Sequence, residues 1–214
     1  MNFILNVMAS IIGGAILLGI ASILSKKVRW LLISLFSRIL DVDIDYVFPN
    51  KKASVEDLKK ELVNAKFVYV FAGRGNELQR DTFNPLFINR TRDIPTKILL
   101  PDIQIGEGEY DWLMQREIEL SKFDSAFGNK HLHTQVKTNM DFIQSYMQNN
   151  KIELRKYNYP NIGRIIITDR CVFFTPYKED FHGRHSRVYK FRKNGDMYYN
   201  FLRLFNQLWN ALTQ

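Results

Sequence analysis

Residues 152–177 read IELRKYNYPNIGRIIITDRCVFFTPY, and this stretch decides the fold. Ile152–Tyr157, Gly163–Thr168 and Cys171–Phe174 are rich in β-branched and aromatic residues and are separated by turn residues. Asp169-Arg170 is the two-residue turn between the second and third runs, so those two form a hairpin. Downstream, Ser186–Phe191 (SRVYKF) predicts another strand. Tyr198–Leu212 predicts an amphipathic helix with Phe201, Leu202, Phe205, Leu208, Trp209 and Leu212 on one face.

Upstream, Lys66–Ala72 (KFVYVFA) is a buried strand stopped by Gly73, and Lys97–Leu100 is a second one stopped by Pro101. The intervening GRGNELQRDTFNPLF reads as a tight turn entering a helix. Ser54, with Asp57 three residues on, opens a helix over roughly 54–64. Tyr110–Phe123 and His131–Gln148 are helical. Strand–helix–strand units with a terminal hairpin and flanking helices give the α/β class, with a mixed sheet.

The chain ahead of this domain differs in kind. From Met1 to Ser25 no side chain is charged, and Phe3 to Leu24 would extend roughly 33 Å as a helix. That matches a ~30 Å hydrocarbon core, so residues 1–25 are expected to form one transmembrane helix. A cleaved signal peptide fits worse, because no basic residue precedes the apolar run and no small-x-small cleavage site is clear. A buried core helix would have to be apolar on every face. Gly13, Gly14 and Gly19 offer small faces for helix packing, though no GxxxG occurs. Lys26, Lys27 and Arg29 follow at once and place the remainder on the cytoplasmic side of a bacterial inner membrane.

VRWLLISLFSRIL then carries Val28, Leu31, Leu32, Leu35, Phe36 and Ile39 at helical spacing. It is either a helix lying in the membrane interface or a continuation packed on the domain, and the interfacial reading is preferred. Asp41, Asp43, Asp45 and Pro49-Asn50 form a polar connector. The expected division is therefore 1–25, 26–50 and a cytoplasmic domain over 51–214.

Of 214 residues, 30 are Lys or Arg and 22 are Asp or Glu, for a formal charge of +8. The apolar and aromatic content excludes a disordered chain, and a mean hydropathy of -0.23 argues against a multi-span protein. A lone Cys171 excludes a disulfide framework and a thiolate zinc cluster, and fits a reducing compartment. His131 and His133 are two apart with no carboxylate at ligand spacing, which points away from a metal site.

Residues 151–193 hold 11 Lys and Arg against four acids, nearly the whole excess of charge. The densest piece, HGRHSRVYKFRK, contains His182, Arg184, His185, Arg187, Lys190, Arg192 and Lys193. Phosphates of nucleic acid or nucleotide, anionic lipid headgroups and plain solvent are the competing occupants of such a face. Gly73-Arg74-Gly75 after a strand can present backbone N–H groups to a phosphate, but lacks the third glycine of a dinucleotide fingerprint and the Gly-Lys-Ser/Thr of a P-loop. A tight turn with an exposed Arg74 is the plainer account.

The opening stretch resembles the second half of a phospholipase D-like domain, in which a strand leads to His-x-Lys, four residues and Asp. Here the lysine position falls on Arg164, the aspartate on Asp169 and the histidine on Ile162. Thr175-Pro176-Tyr177 loosely corresponds to the family's later polar segment, KFVYVFAGRGNEL and TKILLPD to its opening strands, and MYYNFLRLFNQLWN to the terminal helix of small degenerate members. The resemblance covers about residues 60–212. It implies a phospholipase D-like fold in which Ile162 cannot serve as the family's phosphate-accepting nucleophile. Arg164 can still clamp a phosphate but is not a proton donor.

His185-Ser186-Arg187 is only superficially His-x-Lys, since Asp196 comes too late for the spacing. The resemblance thus implies a pseudo-enzyme without cofactor or metal, binding phosphate or a partner through Arg74, Arg164, His182, Arg184, His185, Arg187 and Lys190. The two-part architecture is similar to membrane effectors of bacterial anti-phage systems, retron effectors among them. That implies a toxic, oligomerising abortive-infection protein whose partners are membrane lipid and a sensor protein or ribonucleoprotein complex. Two further expectations stand beside it: a membrane-bound phosphodiesterase or nuclease using His185 or His182, and a harmless membrane scaffold.

Overall fold

The computed structural model describes residues 2–40, 42–88, 96–147, 151–179 and 182–212. The side chains of Asn2, Leu5, Ser22, Leu24, Lys26, Lys27, Arg38 and Ile88 lie outside that description, as does Asp41 of the expected connector. Helix α1 is Asn2–Leu24 and α2 is Lys26–Ile39, with Ser25 between them as the α2 N-cap. Among the described residues no helix is long and apolar enough to cross a membrane. The α1 side chains that are described point outward: Phe3, Ile4, Ile11, Leu17 and Ile23 are all exposed.

The rest is a seven-stranded mixed sheet flanked by helices. In chain order it runs β1 (Ile44–Phe48), α3 (Lys51–Asn64), β2 (Val68–Phe71), α4 (Asn84–Ile88), β3 (Thr96–Pro101), α5 (Trp112–Ser121), α6 (His131–Met147), β4 (Ile152–Tyr157), β5 (Gly163–Thr168), β6 (Cys171–Pro176), β7 (Val188–Arg192) and α7 (Asp196–Ala211). The spatial order is β1-β7-β6-β5-β2-β3-β4. β2, β3 and β4 are parallel to one another, joined through helices as parallel strands require. The β5–β6 hairpin pairs antiparallel to β2 on one side and β7 on the other.

β5 is the middle strand, and Ile165, Ile166 and Ile167 are all buried, so both faces are covered. Helix α7 covers one face: Phe201 packs on Phe174 and Phe191 at 5.1 and 5.6 Å, and Phe205 stacks on Tyr69 at 4.9 Å. Helix α3 lies on the opposite face, where Asp57 and Glu61 accept from Lys190 of β7.

The connector differs from the sequence reading. Ile44–Phe48 (IDYVF) forms an edge strand instead, and β1 pairs antiparallel with β7. Its aspartates have structural partners: Asp43 accepts the Met197 N–H at the start of α7, 2.8 Å away, and Asp45 accepts from Ser34 of α2 at 3.2 Å. Helix α3 starts three residues earlier than Ser54, because the Asn50 side chain accepts the Ala53 N–H at 3.0 Å and caps it.

Candidate functional site

The cavity that concentrates charge lies at the end of the sheet where β2 finishes, β5 begins and β6 ends. After β2 the chain turns away through Ala72-Gly73-Arg74-Gly75. Gly75 has φ +81°, a left-handed conformation, and Leu100 lies 3.1 Å from where a Cβ would stand. A Cβ on Gly73 would come within 2.9 Å of Tyr177 and 3.0 Å of Trp112, so this close approach also requires glycine. The loop is pinned from both sides. Tyr177 Oη accepts the Gly73 N–H at 3.1 Å, and Asn139 of α6 donates to the Arg74 carbonyl and to Asn76 Oδ1, each at 2.8 Å.

The cavity measures about 240 Å³. Among the described residues six Lys and Arg side chains line it, Lys51, Arg74, Arg80, Arg116, Arg164 and Arg184, with one carboxylate, Glu77. Arg116 is itself paired with Glu119 at 2.5 Å. Arg164 is the innermost: it is 5% exposed and donates through Nη2 to Thr175 Oγ1 at 3.0 Å. Its Nη1 meets Glu77 Oε2 while Glu77 Oε1 meets Lys51 Nζ, so one carboxylate bridges two basic groups. Arg164 Nε is buried without a hydrogen-bond partner. Burial pulls the Arg164 guanidinium down to about 10, leaving it charged at neutral pH.

Lys51 feels burial first and then Arg164, Arg80 and Arg74, which together draw its ammonium down to about 6. Burial also lowers Arg74. Arg74 donates to Gln135 Oε1 at 3.1 Å and lies over the Phe127 ring, 5.5 Å from its centre.

Of the residues singled out from sequence, Arg74, Arg164, His182 and Arg184 meet at this cavity. His182 Nε2 lies 2.8 Å from Asp124 Oδ2, and the ring packs edge-on against Phe123. The Ala126 N–H and His182 hold the Asp124 carboxyl below its usual range. His185 is exposed and accepts from Arg184 Nε at 3.1 Å, outside the lining. Arg187 is exposed and also outside it.

Lys190 is elsewhere, buried on the α3 face among Asp57 at 2.9 Å, Glu61 at 3.2 Å and Asp45 at 4.0 Å. Ile162 is 62% exposed, with its carbonyl accepting the Tyr177 N–H at 2.9 Å. Asp169 lies at the far end of β5, where Oδ1 accepts the Lys66 N–H at 2.7 Å. The motif remnant is thus spread along a whole strand, and only Arg164 of it enters the cavity. Lys26 and Lys27 side chains are outside the described residues; Arg29 donates to the Ile23 carbonyl at 3.2 Å.

Sequence reasoning missed Lys51, Arg80, Glu77 and the role of Arg116. Lys51 carried a signal: a cation in the first turn of a helix is disfavoured by the helix dipole and needs another reason to be there. Among the described residues no group of three or more His, Cys, Asp or Glu is placed to hold a metal ion.

No family model and no curated protein matches the chain. Solved structures similar to it include TrmBL2, an archaeal chromatin protein with a novel mode of DNA binding (TM-score 0.48, 18% identity, covering 99% of this chain and 68% of that one). Nuc from Salmonella typhimurium, a phospholipase D family member, aligns with TM-score 0.48 and 15% identity over 78% of this chain and 95% of its own. NucT from Helicobacter pylori aligns with TM-score 0.46 and 12% identity over 78% and 96%. All three TM-scores are below 0.5.

Proposed function

We propose that this chain is a membrane-tethered receptor for a small phosphate-bearing molecule, a binding protein rather than an enzyme, built on a degenerate phospholipase D-like domain. The observation that carries the reading is the cavity lining, six Lys and Arg side chains against one carboxylate among the described residues. A 240 Å³ recess with a buried guanidinium at its floor suits a compact phosphate group better than the long groove that tracks nucleic acid. The position of the family's nucleophile is held by Ile162, which has no group to accept a phosphoryl.

Two features support tethering. The backbone of α1 is helical over 23 residues, about 35 Å, and its sequence has no charge. The apolar stripe of α2 (Leu31, Leu35, Phe36, Ile39) is exposed, while Ser34 and Ser37 bond to β1 and Trp30 packs on Tyr46 at 5.3 Å. A helix with its polar side on the sheet and its apolar side outward is suited to a bilayer interface.

The same packing couples ligand to membrane. Lys51 of the cavity follows β1 through Pro49-Asn50 alone, and β1 backs on α2. A ligand that moves Lys51 therefore acts on the element nearest the tether. Membrane damage during phage infection would be one use of this coupling; the architectural resemblance alone suggests it.

Titrating the full chain in detergent with inorganic phosphate tests the receptor reading. Saturable binding is expected, and a chain that binds no phosphate rules it out. Co-flotation with vesicles tests the tether: removing residues 1–24 is expected to release the chain, and unchanged flotation would contradict it.

A second reading rests on the His182–Asp124 contact at the cavity. A carboxylate accepting from Nε2–H leaves Nδ1 with the lone pair, as a phosphodiesterase nucleophile needs. Cleavage of bis(p-nitrophenyl) phosphate that disappears in His182→Asn would establish it, and no cleavage by the wild type removes it.

A further inference from the structure

Glu77 occupies the floor of the cavity in the pose of a ligand. Its two oxygens go to different basic groups, Oε1 to Lys51 Nζ and Oε2 to the Arg164 guanidinium. A phosphate that spans an ammonium and a guanidinium divides its oxygens in the same way. The carboxylate does not use everything on offer, because Arg164 Nε remains buried without an acceptor. A buried donor left unpaired is unfavourable, and a group with three terminal oxygens can reach the edge of the guanidinium that Nε shares with Nη2.

Behind Glu77 lies a second cavity of about 370 Å³. Lys51, Glu77, Arg80, Phe83 and Arg164 are common to both, and Lys59, Glu56 and Asp81 line only the second. The space is therefore already present for the Glu77 side chain to turn away from Arg164 and toward Lys59.

Charge sets the ligand class. Arg116 is paired with Glu119 at 2.5 Å and burial keeps Lys51 largely neutral in the empty site, so with Glu77 in place Arg74, Arg80, Arg164 and Arg184 share one carboxylate. With Glu77 turned away and Lys51 protonated beside the anion, five cations face the ligand. One phosphate carries roughly −1.5 to −2, and two linked ones on an organic group roughly −2.5 to −3. Only the pair approaches the charge of the lining. A volume of 240 Å³ is below the roughly 300–1,000 Å³ that encloses a whole drug-sized ligand, so the rest of the molecule would lie outside.

Resting on the phosphate-receptor reading above, we propose that the ligand carries two linked phosphate groups. The inner one replaces the Glu77 carboxylate between Lys51 and Arg164, and Glu77 turns into the second cavity. The outer phosphate faces Arg74, Arg116 and Arg184. Glu77 is thus a built-in competitor that holds the site closed to single weak anions.

The test is calorimetric titration of the full chain in detergent with inorganic phosphate, pyrophosphate and methylenediphosphonate, using wild type and Glu77→Gln, with far-UV circular dichroism to confirm folding. Pyrophosphate and methylenediphosphonate are expected to bind roughly tenfold or more tightly than phosphate in the wild type. Glu77→Gln is expected to tighten phosphate about fivefold and narrow that ratio. A wild-type ratio near one overturns the inference, as does a folded Glu77→Gln protein whose phosphate affinity is unchanged or weaker. The wild-type ratio decides the matter if Glu77→Gln does not fold. No binding of any of the three anions overturns the receptor reading itself. Displacement of bound pyrophosphate by phosphatidic acid vesicles would assign the phosphate to lipid and overturn the two-phosphate ligand.

Discussion

Glu77 is ion-paired with Arg164 at the floor of the cavity, joining the loop after β2 to the start of β5. The contact brings the least exposed cation of the site together with the one acid among its described lining residues. Breaking such a pair from one side is costly, whereas exchanging the acid for another anion is not. The geometry therefore favours ligand exchange over simple filling.

Lys51 gives this exchange a pH dependence. Its folded value of about 6 lies below its ordinary value near 10.5, so between them the unfolded chain holds more protons. The contribution of Lys51 to the ligand-free fold is full above 10.5 and is lost as pH falls toward 6. A bound dianion restores the ammonium, so binding takes up a proton. Glu77, Arg164, Arg80 and Arg74 face Lys51; Arg116, Arg184 and His182 stand across the cavity, and Glu56, Lys59 and Asp81 line only the second cavity. Sulfate, which does not titrate here, is expected to bind more tightly as pH falls from 8 to 6, by at most about tenfold per unit. Lys51→Arg should flatten the profile while His182→Asn leaves a slope. Equal slopes in wild type and Lys51→Arg would refute the assignment.

Lys190 belongs to the fold and not to the ligand. Its ammonium is held by Asp57 and Glu61 of α3, and their bonds raise its value despite burial. Lys190→Met should lower stability by about 2–3 kcal/mol in urea unfolding, because it strands partly exposed carboxylates. Phosphate affinity should stay within about twofold of wild type. A selective loss of affinity would place Lys190 in the site after all.

Gly75→Ala should be unfavourable by about 1–2 kcal/mol, since φ is +81° and Leu100 is 3.1 Å from the new methyl. The strain sits in the loop that carries Arg74 and Glu77, so anion binding should weaken with stability. Denaturation and titration of the same sample measure both.

Cys171 is buried, and burial pushes its thiol up to about 12. At pH 8 the native chain should react with Ellman's reagent only as fast as it unfolds, and at once in denaturant. Fast reaction in the native state would contradict the packing of β6 against α3.

The strands could be read directly because both covering layers leave their mark: GRIIIT and CVFF are continuous apolar runs, as a central hairpin requires. Edge strand β1 was hidden by Asp43 and Asp45, whose side chains cap α7 and meet α2 across long sequence separations. Arg74, Arg164, His182 and Arg184 were legible as basic residues, and their meeting was not, since it depends on β2, β5 and the 182–184 segment ending at one side of the sheet. Lys190 shows the converse: local density of charge in HGRHSRVYKFRK says nothing about which side of a strand each cation takes. Lys51 and Glu77 escaped because their partners are brought together only by the fold.

Arg164 is the side chain on which anion binding turns. Calorimetric titration of the full chain with pyrophosphate, comparing wild type, Arg164→Leu and Lys190→Met, measures its role most directly. Saturable binding is expected, weakened roughly a hundredfold by Arg164→Leu and left nearly unchanged by Lys190→Met. No saturable binding by the wild type, or equal affinity in wild type and a folded Arg164→Leu protein, would contradict that role.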